Sequence, residues 1–339
     1  MTHNSPKIIA EIGNSHEGSL GIALSMVTMA AEAGADIVKF QFHLSEYEST
    51  IKEPFRDTTF VQDANRKEYW DRVSFTLNDW IVINKHCEAN NIEFLCTPFS
   101  LEAAKILHEN NLVKRWKIGS GDALNFQLID YVFKSKHEVL ISTGLINQTE
   151  LSILLNHISN NHNFQQLILM HCVSQYPTKL RNSSVGLILE YMDKFNVRVG
   201  HSDHSGNIST AVYALTLPID FLEVHLTPHE LFFGPDTTSS LIPQDLKQIV
   251  KFRNDFKEIM DSNLSRDDLY QASLNSVKIF RKSLYWASDL PSGLNVKIEN
   301  VSIKKPMASI DASQINSVVG MVLKKSVKKD SPIFFEDLA

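Results

Sequence analysis

Residues 20–42, "LGIALSMVTMAAEAGADIVKFQF", decide the fold. The first half repeats apolar residues three and four apart, the mark of a helix with one buried face. "AGAD" then supplies a glycine stop. "DIVKFQF" (36–42) follows as a short β-branched and aromatic run, a strand. Working outward, the same alternation recurs. Strands are expected at 7–13, 36–42, 92–99, 115–120, 138–144, 166–174, 197–203 and 220–227, with helix-like stretches between them. A final helix over about 243–260 opens on Pro243. Eight strand–helix units in series make a parallel sheet, and eight is the number that closes a (β/α)8 TIM barrel. The rival, an open doubly wound sheet, usually has fewer strands, and no GxGxxG follows the first one.

Residues 1–261 are therefore expected to form the barrel. Residues 262–276, starting in the polar "DSNLSRDD" (261–268), read as a linker, and 277–339 as a small β-rich domain with too little core to stand alone. The stretch 43–76 is long for a βα connection and suggests a lid or dimer contact. Net charge is −6 and no basic block precedes the last sixty residues, which argues against nucleic acid as a partner. No apolar run is long enough for a membrane. Three scattered cysteines without CxxC spacing, and an N-terminus without signal-peptide character, fit a reducing cytoplasm.

In such barrels chemistry sits at the C-terminal ends of the strands. Those ends carry Glu11, Lys39, Gln41, Lys117, Ser120, Asp122, Ser142, Ser174, Tyr176, Ser202, Asp203, His204, Glu223 and His225. Lysines within barrel strands need partners, because such strands are buried on both faces. Either Lys39 and Lys117 form internal ion pairs with glutamate, or they hold an anionic ligand beside "GSGD" and "STG", whose small residues suit phosphate. "VRVGHSDHSG" (197–206) and "FLEVHLTPHE" (221–230) bring histidines to neighbouring strand ends. His204 and His225 are either hydrogen-bonded structural residues or ligands of an open, catalytic metal site with Glu11 nearby.

Taken in order, "AEIG" (10–13), "HEG" (16–18), "AGADIVKFQ" (33–41), "TPF" (97–99), "KIGSGD" (117–122), "STG" (142–144), "HCVSQYPT" (171–178), "SDH" (202–204), "EVH" (223–225), "GPD" (234–236), "RKSLY" (281–285) and "KKP" (304–306) resemble the sialic acid synthase family. The resemblance covers essentially the whole chain, with 277–339 similar to an antifreeze-like (SAF) domain. It implies a phosphoenolpyruvate-dependent transferase that joins phosphoenolpyruvate to an open-chain N-acylated aldose, giving a nonulosonic acid and phosphate. It implies His204 and His225 as ligands of Mn²⁺, or Mg²⁺. It assigns Lys39, Lys117, Ser120, Ser142, Ser174 and Ser202 to phosphoenolpyruvate. Glu11, Asp122, Tyr176 and Asp236 take acid–base positions, and Gln41, Tyr176, Asp236 and Lys305 face the sugar. It also implies a domain-swapped homodimer in which each small domain caps its neighbour's barrel.

The departures gather on the sugar side. Ser15-His16 stands where the family often has Asn-His, Val224 where Lys is common and Thr237 where His is common. Ser174 replaces a frequent Asn. Lys305-Pro306-Met307 replaces Arg-Pro-Gly, and lysine lacks arginine's planar fork. N-acetylmannosamine is thus the default acceptor, with a diamino-trideoxy hexose, as in legionaminic- or pseudaminic-type acids, or another aldose as rivals. Outside this class stand a Schiff-base pyruvate aldolase using Lys39 or Lys117 and a sugar-binding relative that has lost catalysis.

Overall fold

The computed structural model describes residues 5–339. The chain divides into two compact units, the first ending at Asp261 and the second running Ser262–Ala339.

The first unit carries eight parallel strands: β1 (Lys7–Gly13), β2 (Ile37–Phe42), β3 (Glu93–Pro98), β4 (Arg115–Ile118), β5 (Glu138–Ser142), β6 (Leu167–Cys172), β7 (Arg198–Asp203) and β8 (Phe221–His225). The ladder runs β3-β2-β1-β8-β7-β6-β5-β4, and its two ends, β3 and β4, lie side by side, so the sheet is a nearly closed TIM barrel. Each expected strand is present within a residue or two of its expected limits. The helices are α1 (Leu20–Glu32), α2 (Ser45–Glu48), α3 (Arg66–Val73), α4 (Leu77–Ala89), α5 (Leu101–Glu109), α6 (Phe126–Phe133), α7 (Gln148–Asn161), α8 (Leu187–Phe195), α9 (Ile208–Leu215) and α10 (Pro243–Asp261). Many begin on a side-chain cap, as Ser19 does for α1 and Asn147, with Glu150, for α7. Two of them, α2 and α3, fall inside the long 43–76 connection.

Side chains that alternate along a strand face opposite sides. Val38 and Phe40 face the helices, where Phe40 packs edge-on to Trp80 at 5.9 Å. The inward set forms two storeys. The lower is an apolar plug of Ile9, Ile37, Leu95, Leu140, Ile168, Met170 and Phe221. Gly200 belongs to this storey because a Cβ there would run into Met170 and the Phe221 carbonyl. Two residues further along the strands stand Glu11, Lys39, Thr97, Ser142, Ser202 and Glu223, all buried. The ladder fixes this storey directly, pairing Glu11 with Lys39 and with His225, and Ser202 with Glu223.

The second unit departs from expectation twice. The stretch read as a linker is helical, with α11 (Arg266–Ala272) and α12 (Leu274–Phe280); Ser265 and Asp268 form a reciprocal cap at its start. The unit also has its own core of Leu284, Trp286, Val296, Val318, Leu323, Ile333 and Leu338. Regular β-structure is limited to antiparallel β9 (Ser283–Trp286) and β10 (Val301–Lys304), with isolated bridges such as Leu290–Val327. A short α13 (Ile315–Val318) completes it.

Candidate active site

The upper storey floors a cavity of about 570 Å³ at the C-terminal ends of the strands. Its chemistry is dominated by buried ion pairs. Lys39 Nζ donates to Thr97 Oγ1 at 3.2 Å and is ion-paired with Glu11, 2.9 Å from its Oε2, and with Glu223, 3.6 Å from its Oε1. Lys117 Nζ donates to Glu223 Oε2 at 2.6 Å, and Ser202 Oγ to Glu223 Oε1 at 3.0 Å. Gln41 Nε2 donates to Glu11 Oε1 at 2.8 Å. Both ammoniums are thus paired with glutamate, the first of the two readings of the strand lysines, and both line the cavity.

These neighbours push the two carboxyls apart. Burial raises the proton affinity of Glu11, with the Glu223 charge adding to it, and the Lys39 ammonium only partly opposes this. Glu223 is as deeply buried, yet the Lys117 and Lys39 ammoniums together hold it well below the usual carboxylate range. Burial also lowers Lys117, whereas for Lys39 the Glu11 and Glu223 charges outweigh burial and raise it. A pair of carboxyls separated in this way is suited to one that exchanges a proton and one that stays ionised.

Across the floor, His204 at the end of β7 and His225 at the end of β8 face each other with ring centroids 5.2 Å apart. His204 Nδ1–H donates to the Val173 carbonyl at 2.8 Å, so its Nε2 keeps a lone pair, which accepts from Tyr176 OH at 3.3 Å. Burial lowers His204 to about 3 and lowers His225 too, so both rings are neutral at pH 7. Asp236 Oδ2 lies 3.8 Å from His225 Nδ1. Burial disfavours the Asp236 anion, but its neighbours outweigh this and hold it below the usual carboxylate range, the paired Arg56 guanidinium being the charge that does so when His225 is neutral. Two neutral imidazoles, with the Asp236 oxygen beside His225, are chemically suited to a divalent cation with open positions, although the three donors do not converge within 4.8 Å of one another. Glu11 is not part of that set, being bound to Lys39 and Gln41.

The serines are placed by the strand-end turns. Ser120 Oγ accepts from the Gly144 N–H at 3.1 Å and meets Cys172 Sγ at 3.3 Å. Ser142, Ser174 and Ser202 line the same cavity, as does Asp122, which burial holds partly protonation-prone while Asn125 donates to it at 2.9 Å. A Cβ at Gly144 would come within 2.4 Å of Ser174 Oγ and 2.8 Å of Cys172 Sγ, so any larger residue would have to displace both side chains. Lys305 lies in the second unit, its ammonium 5.3 Å from the Phe280 ring centroid.

Two groups of functional side chains escaped the sequence reading. Glu223 carried no role there, because its bonds to Lys117, across the barrel, and to Ser202, on the neighbouring strand, appear only once the barrel is closed. The 43–76 connection brings Arg56, Arg66, Glu48 and Glu53 to the cavity. Arg56 pairs with Asp236 and lies 4.2 Å from the centroid of the Tyr176 ring. The histidine cluster of 197–206 also divides: His204 faces the cavity, whereas His201 is buried against His171 at 5.6 Å, its Nδ1 on the His171 carbonyl. His229 is exposed.

A (β/α)8 barrel with an ionic, histidine-flanked cavity at the C-terminal strand ends has the layout of barrel enzymes. The chain belongs to the NeuB family, which it matches over residues 26–264, and it matches the SAF domain over residues 281–339. The N,N'-diacetyllegionaminic acid synthase of Campylobacter jejuni is 30% identical over 330 residues, spanning 96% of this chain and 98% of that protein. The N-acetylneuraminate-9-phosphate synthase of Drosophila melanogaster is 28% identical, spanning 97% and 95%. The crystal structure of N-acetylneuraminic acid (sialic acid) synthetase from Leptospira borgpetersenii in complex with citrate superposes with a TM-score of 0.68 at 27% identity, covering 81% of this chain and 92% of that one.

Proposed function

We propose that this protein condenses phosphoenolpyruvate with the open-chain form of an N-acylated aldose, releasing phosphate and a nonulosonic acid. The observation that carries the reading is the cavity floor, where two buried ammoniums stand beside Ser142, Ser174 and Ser202, across from two neutral imidazoles. Lys39, Lys117 and the hydroxyls hold the phosphate and carboxylate of phosphoenolpyruvate as charge-assisted donors. His204 and His225 would hold Mn²⁺ or Mg²⁺, which when bound supplies a Lewis acid to the aldehyde oxygen. C3 of phosphoenolpyruvate attacks the aldehyde carbon, water adds at C2, and the tetrahedral intermediate expels phosphate. Glu11 exchanges the proton, since burial already favours its neutral form. Tyr176, whose phenol burial keeps protonated, donates to substrate oxygen. Asp236 stays ionised and orients a sugar hydroxyl, with Arg56 fixing its rotamer.

An acceptor of the diacetamido-trideoxy type now stands beside N-acetylmannosamine, because the Campylobacter relative named above makes a legionaminic acid. Function in the cytoplasm, as a homodimer in which Lys305 reaches the partner's sugar, belongs to the same proposal. The test is phosphate release from phosphoenolpyruvate across a panel of aldoses with Mn²⁺ present. Release with an N-acylated hexosamine or diacetamido hexose supports the reading. Pyruvate-dependent inactivation by borohydride, with no aldose-dependent phosphate release, would replace it with a Schiff-base aldolase.

A further inference from the structure

On the outer wall of the barrel, far in sequence from the cavity residues of β7 and β8, Asp130, His157 and His162 converge. Asp130 stands on α6, His157 on α7, and His162 is the residue that ends α7. Both imidazoles point Nε2 at one carboxylate oxygen: His157 Nε2 lies 2.7 Å and His162 Nε2 2.6 Å from Asp130 Oδ1. Five residues apart on a continuous helix, the two rings would be rotated roughly 140° from each other and could not meet. They meet because the chain leaves the helix at His162, whose backbone is extended (φ −139°, ψ 170°) while its N–H still closes the last turn on Ile158.

The rings are held before any ligand arrives. His157 stacks on Phe126 at 4.1 Å and His162 on Phe133 at 4.9 Å. These two phenylalanines flank Asp130 on α6, so one helix supplies both the carboxylate and the aromatic beds for both imidazoles. The Asp130 side chain nevertheless keeps 40% of its surface open to solvent, so an ion can reach it without unfolding the site. Two hydrogen bonds on a half-exposed carboxylate would serve as a simple clamp, but a clamp needs only one histidine. The convergence of two nitrogens and one oxygen, all within 4.8 Å of one another, is the donor set of a three-ligand metal site with a fourth position left to water.

We propose that Asp130, His157 and His162 form a second metal site, distinct from the cavity, that takes Zn²⁺ or another imidazole-preferring divalent ion and ties α6 to the end of α7. Imidazole nitrogen with a single carboxylate favours Zn²⁺ over Mg²⁺ or Ca²⁺, which prefer all-oxygen shells. Binding requires each ring to present its Nε2 lone pair, so the Nε2–H tautomer of the clamp gives way to Nδ1–H. Such a site stabilises the barrel wall by mass action and has no part in turnover.

The experiment compares chelator-treated full-length protein with the His157→Gln/His162→Gln variant and with Asp130→Asn. Zn²⁺ is titrated calorimetrically, and the melting temperature is followed with and without Zn²⁺. The cavity histidines contribute equally in all three proteins, so the readout is the difference. Each variant is expected to lose one bound equivalent and the share of the Zn²⁺-dependent rise in melting temperature that this site adds, while phosphate release under Mn²⁺ stays at the wild-type rate. Asp130→Asn keeps the shape of the side chain and serves if the double variant folds poorly. An unchanged stoichiometry, or a Zn²⁺-dependent rise in Asp130→Asn as large as the wild type's, overturns the proposal.

Discussion

The barrel carries cation–carboxylate pairs at both of its ends, and water separates them into two kinds. At the N-terminal ends of the strands, Arg115 bridges Glu93 and Glu138, and Arg198 reaches Glu138 at 2.6 Å and also Asp220. There Arg198 is 40% exposed and Glu138 33%. At the C-terminal ends, Lys39, Lys117, Glu11 and Glu223 are each no more than 4% exposed. Exposed pairs contribute little, about 0–1 kcal/mol. Buried pairs lose several kcal/mol of hydration per ion and are often no better for stability than apolar residues of the same volume. The lower pairs close a barrel; under the proposed function the upper ones hold charge ready for a ligand at the expense of stability.

The largest effect that could break this contrast is at the histidines. His204→Ala and His225→Ala should each lower phosphate release by about a thousandfold, the scale of losing an electrophilic stabiliser, while circular dichroism remains native. Chelation of the wild type should do the same and Mn²⁺ should reverse it. Full turnover without metal ends the two-imidazole reading.

Next come the lysines. Lys117→Met should raise the Michaelis constant for phosphoenolpyruvate about tenfold to a hundredfold, as expected for a charge-assisted contact of roughly 1.5–3 kcal/mol. It should also destabilise the fold by about 3–5 kcal/mol, because Glu223 is left buried with less compensation. Adding Glu223→Met should restore stability without restoring affinity. If stability and affinity return together, Lys117 is a structural partner only.

Buried neutral histidines sharpen the contrast through pH. Burial holds His16 and His201 near 3 instead of 6.5. The unfolded chain therefore binds protons that the folded one refuses as pH falls from 6.5 towards 3, and folding stability is lost in that window. The slope is about 1.4 kcal/mol per pH unit for each ring. Denaturant midpoints between pH 7 and pH 5 should fall accordingly, and less steeply in His201→Asn. A flat profile would place these rings in contact with water.

A smaller signal concerns protons. An arriving anion raises the proton affinity of Glu11 further, so phosphoenolpyruvate binding near pH 7 should take up as much as about one proton. Calorimetry in buffers of different ionisation enthalpy measures it, and Glu11→Gln should abolish it. Smallest of all, Arg198→Ala at the other end should cost about 1 kcal/mol or less and leave both Michaelis constants alone.

Much of this was legible in the chain because strand and helix periodicities are local. Ile9 and Glu11, or Ile37 and Lys39, already differ by the period of a strand. The barrel and most of its mouth follow from counting. Glu223 as the shared partner of both lysines did not, because pairing across the barrel depends on stagger between strands, not on spacing within one. Arg56 and Arg66 were hidden in a connection without periodicity. The helices at 266–280 were hidden by polar composition, and the three-residue spacing of Ser265 and Asp268, which form their cap, was passed over. The core of the second unit was underestimated because its apolar residues, from Leu284 to Leu338, are scattered rather than periodic.

The two-storey interior has a consequence for how such a protein changes. The plug residue and the reactive residue of one strand are separated by a single outward-facing position. Changes at Ser142 or Ser202 therefore leave Leu140 and Gly200 beneath them with the same neighbours. A library confined to Ser142, Ser202 and the 43–76 connection, with the buried ion pairs kept, should retain folded members at a high rate, and one of equal size in the plug should not. Heredity of fold and novelty of chemistry are thus assigned to alternate letters of the same short words.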